Sequence, residues 1–320
     1  MSGASPASGE PLVVIGEVRT ALLMNLRPLP PQAVVTLLDF VPGERVMARE
    51  RPVRRAVSAD VLHGVDCPLT TGSGARVRGI GTLLTRAGVL DGRVVQGSTR
   101  AVLATGGERR LPWGHYLERP GVVELSGRGA PADVAHRFLT GRDPADLDPG
   151  AVSEALLGRI RSAPSLDRRT PLRARRTRLR WASVLAGDGF RGEFSLVDQE
   201  LRTLRLGFAA TTAATPGQLA TLCEDIALHD WLLSTVTPVV DRACSGHDSV
   251  RATGELRTVV DQLLHLWLPN VGGPSRLDAV WAHLEAHPGF SRQWGTCVQR
   301  VRDHLALRAL DLRAGAAGGL

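Results

Sequence analysis

Two rhythms of apolar and polar positions run along this chain. Residues 12–126 carry short apolar runs of the β type. Leu12 to Val18 is the first, and Val77 to Thr85 and Arg93 to Ala104 follow, separated by glycines and turn residues. Asp91-Gly92, between Leu90 and Arg93, is a type I′ hairpin signal. Pro120 to Leu125 predicts another strand, and prolines at 28, 30, 31, 42 and 52 break any long helix near the beginning.

The rhythm becomes helical over residues 131–162. Asp148-Pro149 offers an N-cap with proline at the first helical position, and Val152, Leu156, Leu157 and Ile160 follow at helical spacing. Glu193 to Val197 and Leu201 to Phe208 read as a hairpin around Asp198-Gln199. From residue 215 helices dominate. Thr215-Pro216-Gly217-Gln218 is a capping box, predicting a helix to about Cys244 that bends at Pro238. A second helix over 250–268 carries Leu256, Val259, Val260, Leu263 and Trp267 on one stripe. Ser275 and Asp278 form another N-cap pair ahead of Leu277, Val280, Trp281 and Leu284, and a last helix presents Trp294, Val298, Val301, Leu305 and Leu312.

These patterns predict an α+β protein with a β-rich N-terminal half containing hairpins and a predominantly α-helical C-terminal half. The expected organisation is a disordered tail over 1–11, a β-rich domain with one or two helices over 12–162, a basic connecting segment over 163–192, and a hairpin plus helical domain over 193–313.

Composition narrows the chemistry. All 39 basic residues are arginine, so Schiff-base catalysis and lysine-dependent phosphate loops are excluded. Charge is uneven: residues 1–142 carry a net +6, 143–186 a net +4 and 187–320 a net −3. Cys67, Cys223, Cys244 and Cys297 are widely spaced and form no CxxC, which argues against a zinc ribbon and fits a reducing cytosol. The N-terminal residues lack the apolar core of a signal peptide, and the longest uncharged stretch, Leu206 to Cys223, is interrupted by Pro216 and Gly217. A cytoplasmic protein without a membrane span is expected.

Four groups of residues invite a functional reading. Arg168, Arg169, Arg173, Arg175, Arg176, Arg178 and Arg180 fall within thirteen residues that contain no acid. Such a run binds phosphates or an acidic protein surface, unless it is a solvated linker or is neutralised by acids of the same fold. If it is extended, Arg176, Arg178 and Arg180 share one face, with Leu179 and Trp181 turned inward. The segment Arg109 to Arg119 concentrates Trp113, His115 and Tyr116, the only tyrosine. Proline and glycine make it a loop, either a binding surface or a plug that buries Trp113. Asp225 and His229, four apart, could face one metal, but His229 keeps step with Leu222, Ile226 and Leu233 and reads as a core histidine satisfied by Asp225. His283 and His287 bracket Glu285 in an order that is not the metalloprotease motif, and Gly72-Ser73-Gly74 fails as a dinucleotide fingerprint.

The stretches Gly16-Glu17-Val18-Arg19-Thr20, Gly64-Val65-Asp66-Cys67, Gly74-Ala75-Arg76-Val77-Arg78-Gly79, Leu111-Pro112-Trp113-Gly114-His115-Tyr116 and Leu228-His229-Asp230-Trp231-Leu232-Leu233 resemble those of an uncharacterised actinobacterial protein family of unknown function. Members of that family accompany a variant P-loop protein and a methyltransferase-like protein. The resemblance implies a part in a multi-protein system, and it assigns no catalytic residue.

No complete catalytic constellation stands in the chain, and neither a cofactor nor a metal is expected. The expected function is therefore a non-catalytic interaction or scaffold protein, its partner another protein of the same system. Nucleic-acid or phosphate binding through Arg168 to Arg180 is the alternative, ahead of an enzyme with dispersed catalytic residues.

Overall fold

The computed structural model describes residues 12–317 apart from 128, 142–145, 188, 213, 245–248 and 269–276. The expected tail over 1–11 and the Ser275 cap lie outside the described residues. The strands are β1 (Leu12–Leu22), β2 (Met47–Arg49), β3 (Arg55–Val57), β4 (Val61–Thr70), β5 (Arg76–Leu90), β6 (Val94–Thr105), β7 (Val122–Ser126), β8 (Thr177–Gly187), β9 (Arg191–Leu196) and β10 (Leu201–Ala209). The helices are α1 (Pro31–Leu38), α2 (Trp113–Leu117), α3 (Pro131–Thr140), α4 (Pro149–Arg161), α5 (Pro216–Cys244), α6 (Ser249–Gln262), α7 (Asp278–Ala286) and α8 (Phe290–Ala317).

All ten strands join one mixed sheet in the order β2-β3-β5-β7-β6-β1-β8-β10-β9, with β4 also on β5. The protein is α+β, as the patterns predict. The division into a strand half and a helix half is not how the sheet is built, because β8, β9 and β10 complete the sheet begun by β1 to β7. Residues 177–187, expected inside a connecting segment, are β8, which pairs antiparallel with β1 and parallel with β10. The physical reason is that Leu179 and Trp181 are buried on one face of β8 while acids of the fold neutralise arginines on the other.

Local signals were read correctly where they are self-contained. Asp91 and Gly92 have φ of 45° and 62°, which places both in the left-handed region required by the turn from β5 to β6. The Asp148 side chain accepts the Ala151 N–H at 3.1 Å ahead of α4. The Thr215 and Gln218 side chains satisfy one another's backbone N–H groups, at 2.9 and 3.2 Å, ahead of α5.

Helices cover both faces of the sheet. On one face α5 packs Ile226, Trp231 and Val236 in one cluster with Val14, Val18, Leu179, Trp181, Leu204 and Leu206, and Val259 of α6, Trp281 of α7 and Trp294 of α8 join it. On the other, α3 closes a cluster with Val13, Ile15, Leu103 and Val123, while α4 and α1 close another with Val89 and Val95. Gly16 makes room for the indole of Trp181: a Cβ at position 16 would stand 2.6 Å from that ring and 2.6 Å from the Thr99 carbonyl. Among the described residues no helix is long and apolar enough to cross a membrane.

Candidate functional site

The fold divides the arginine run. Arg168, Arg169, Arg173 and Arg175 are exposed in the approach to β8. Arg175 donates to the Gln199 side chain, and its carbonyl accepts the Nε1–H of Trp231 at 2.9 Å. Arg178 and Arg180 share one face of β8, the face away from α5. Arg180 is only 6% exposed. Its Nε lies 3.3 Å from Glu17 on β1, it donates to the Phe138 carbonyl at 3.2 Å, and its guanidinium sits 5.0 Å from the Phe138 ring centroid. Glu17 is fully buried and also meets Arg19 at 3.2 Å. Arg19 bridges to Glu154 of α4 at 3.0 Å, and Glu154 further accepts from Arg161 and, at 3.3 Å, from Arg176. Burial works against the charge of Glu154, but Arg161 and Arg19 overcome it and hold its carboxyl below the usual range. The run is therefore not one open basic face: Arg176 and Arg180 are engaged by carboxylates of the same chain.

A second charge system lies under α5. Glu224, buried, takes Arg55 at 2.7 Å and Arg86 at 2.7 Å; Asp225 takes the other nitrogen of Arg55 at 2.5 Å. Burial opposes ionisation of Glu224, yet Arg86 and Arg55 keep its carboxyl below the ordinary range. Asp225 moves the other way, raised by burial. Arg202 pairs with Asp230 at 2.6 Å, both buried, and burial pushes Asp230 up to about 6. These pairs escaped the sequence reading. Their one signal was phase: Arg202 keeps step with Leu204, Leu206 and Phe208 along β10, and Asp230 stands within an apolar helix.

His229 is a buried histidine, as its phase predicts, but its partner is the main chain of Asp225. Its Nδ1 lies 2.7 Å from the Asp225 carbonyl, while the Asp225 carboxylate is occupied by Arg55. Among the described residues no group of three or more His, Cys, Asp and Glu side chains could hold a metal ion. His283 packs edge-on against Phe190 at 5.8 Å, and His287 caps the C-terminal end of α7.

The Arg109 to Arg119 segment is partly helical rather than wholly loop, because residues 113–117 form α2. Its aromatic residues have separate tasks. Tyr116 is the buried plug, its hydroxyl accepting the Leu111 N–H at 3.1 Å. Trp113 is not buried: it stays 39% exposed. Its ring lies over β4, and a Cβ on Gly64 would be 3.4 Å from it. His115 meets Glu124 at 2.8 Å, and Arg119 shares that carboxylate. Asp66 of β4 takes Arg78 at 2.6 Å and Arg110 at 3.2 Å, and the Arg78 hydrogen bond holds its carboxyl below the usual range. Arg110 also lies 5.6 Å from the Trp113 ring centroid. Leu62, Leu111 and Leu117 are exposed, and Leu62 shares with Gly64 the β4 face that Trp113 covers.

The outer edge of β4 adjoins this surface. Among the described residues β4 pairs on one edge only, with β5, over its whole length of ten residues. Among the described residues, alternate N–H and C=O groups of the other edge have no strand beside them. Comparison with protein-family models, with characterised proteins and with solved structures finds no match.

Proposed function

We propose that this chain is a non-catalytic interaction protein that receives an extended strand of a partner protein on the free edge of β4, beside Trp113. The observation that carries the reading is the half-exposed Trp113 ring lying over Gly64 on a ten-residue strand with one unpaired edge. Unpaired strand groups offer main-chain hydrogen bonds to an added strand, and the neighbouring side chains select its sequence. Trp113 lies over that strand, Leu62 is exposed on the same face of it, and Leu111 and Leu117 of the Trp113 segment are exposed as well; tryptophan is among the residues that dominate binding energies at interfaces. Pro68 lacks a backbone N–H, so it confines a full ladder to residues 61–67. The resemblance to a family of multi-protein systems supports a partner from the same system.

The arginine run contributes less to this reading than its density in the sequence suggests. Arg176 and Arg180 meet Glu154 and Glu17, leaving Arg168, Arg169 and Arg173 as the open part of a phosphate-binding alternative.

Purification at native expression, with hydrogen exchange on the complex, tests the proposal. The expected result is a stoichiometric partner that protects the amides of residues 61–67 and is lost from a Trp113→Ala, Leu117→Ser double variant that remains folded. A strictly monomeric protein with no partner overturns it, as does a partner whose protection falls elsewhere.

A further inference from the structure

The direction of each main-chain group along β4 follows from its hairpin with β5. Where the two strands turn, the Thr71 N–H meets the Ala75 carbonyl at 2.8 Å. The register then runs unbroken from Thr70 opposite Arg76 to Val61 opposite Thr85. Main-chain groups alternate along an antiparallel ladder, so His63, Val65, Cys67 and Leu69 turn theirs towards β5. Leu62, Gly64 and Asp66 turn theirs to the open side. Pro68 falls in the same phase, so its missing N–H is lost from the open edge and not from the ladder with β5.

The same alternation sorts the side chains. Val65 and Cys67 pack on the cluster that α3 closes. Leu62, Gly64 and Asp66 belong to the opposite face. Trp113 lies on that face, because a Cβ on Gly64 would point at its ring from 3.4 Å. In an added strand the residues opposite Leu62, Gly64 and Asp66 carry their side chains on the Trp113 face too, whichever way the strand runs. Gly64 has no side chain to separate an incoming one from Trp113.

The charges beside Trp113 are unequal. Asp66 takes Arg78 at 2.6 Å and Arg110 at 3.2 Å, so two guanidiniums share one carboxylate. The Asp66 side chain is 18% exposed, whereas those of Arg78 and Arg110 are 61% and 51% exposed. Arg110 also stands 5.6 Å from the Trp113 ring centroid, which places it between the aromatic surface and Asp66. A guanidinium has five N–H donors, and those that Arg110 does not give to Asp66 are left for a further acceptor.

We infer that the strand received at β4 is acidic: opposite Gly64 it carries an apolar side chain against Trp113, and opposite Asp66 a carboxylate that meets Arg110. A lysine at the second position would add a third cation to the group. This inference rests on strand docking at β4 and names the chemistry of the strand.

The probes are two fluorescein-labelled peptides, Thr-Glu-Thr-Val-Thr-Glu-Thr and Thr-Lys-Thr-Val-Thr-Lys-Thr, each as long as the ladder over residues 61–67. Both patterns read the same in either direction, so strand polarity does not affect the comparison. Each is titrated with the full chain and followed by fluorescence anisotropy. The glutamate peptide is expected to bind about tenfold tighter than the lysine peptide, by a ratio that shrinks as salt is added. Trp113→Ala should weaken both peptides, and Arg110→Ala should bring the ratio below about threefold. Both side chains are part-exposed, so the variants keep the fold, which circular dichroism checks. Equal binding of the two peptides, tighter binding of the lysine peptide, or a ratio unchanged by Arg110→Ala overturns the inference and leaves strand docking standing. Binding by neither peptide, or binding indifferent to Trp113→Ala, overturns strand docking and this inference with it.

Discussion

Arg180 of β8 reaches Glu17 of β1 at 3.3 Å across two paired strands, and the carboxylate it meets is fully buried. The pair joins residues 163 positions apart in the chain, in the middle of a sheet covered by α4. A buried ion pair is weak evidence for added stability, but removing one member leaves the other charge uncompensated.

Glu17→Gln is therefore expected to destabilise the fold by about 3–5 kcal/mol, because the buried Arg180 loses its carboxylate and Arg19 keeps only Glu154. Arg180→Ala should fall in the same range. Arg168→Ala and Arg169→Ala, at exposed positions, should stay within about 0.5 kcal/mol of wild type. Urea denaturation of the four variants checks this, and equal costs at Arg168 and Arg180 would refute the division of the run.

Gly16→Ala is expected to cost about 1–3 kcal/mol, since the added methyl meets a main-chain carbonyl on one side and a fully buried indole on the other. Trp181 fluorescence should shift with the displacement of its ring. A variant as stable as wild type, with an unchanged spectrum, would show that the strands give way freely.

Stability should depend on pH through His229 and Asp230, with opposite signs. Burial lowers His229 from 6.5 to about 4, so between those values the unfolded chain binds a proton that the folded chain does not. That contribution is complete above 6.5 and is lost as the pH falls towards 4, by roughly 3 kcal/mol at full effect. Asp230 is raised by burial from 3.8 to about 6, so its contribution is complete below 3.8 and is lost as the pH rises through 6. The clean measurement is a difference: His229→Gln should lose less stability than wild type between pH 7 and 4. Parallel profiles for the two proteins would exclude a neutral buried His229.

Much of the local structure was legible in the sequence, because its causes lie within a few residues of each other. Only residues tolerant of positive φ make the turn at Asp91-Gly92, a side chain and a backbone N–H three residues apart make the caps at Asp148 and Thr215, and the apolar period fixes the buried faces of α4 and α5. The crowding of Trp113, His115 and Tyr116 was legible too, but which ring is buried was not. Tyr116 fills the plug because its hydroxyl finds the Leu111 N–H, and Trp113 is left over the edge strand.

By itself the sequence determined turns, caps, the helical stripes and the lysine-free chemistry, all set by short-range sterics and side-chain type. Tertiary structure alone decided that β10 enters between β8 and β9, that an arginine-rich segment is an inner strand, and that its charge meets Glu17 and Glu154. Strand pairing and buried charge pairing join residues far apart along the chain. Their energies depend on which groups share a dry interior, and spacing along the sequence does not encode that.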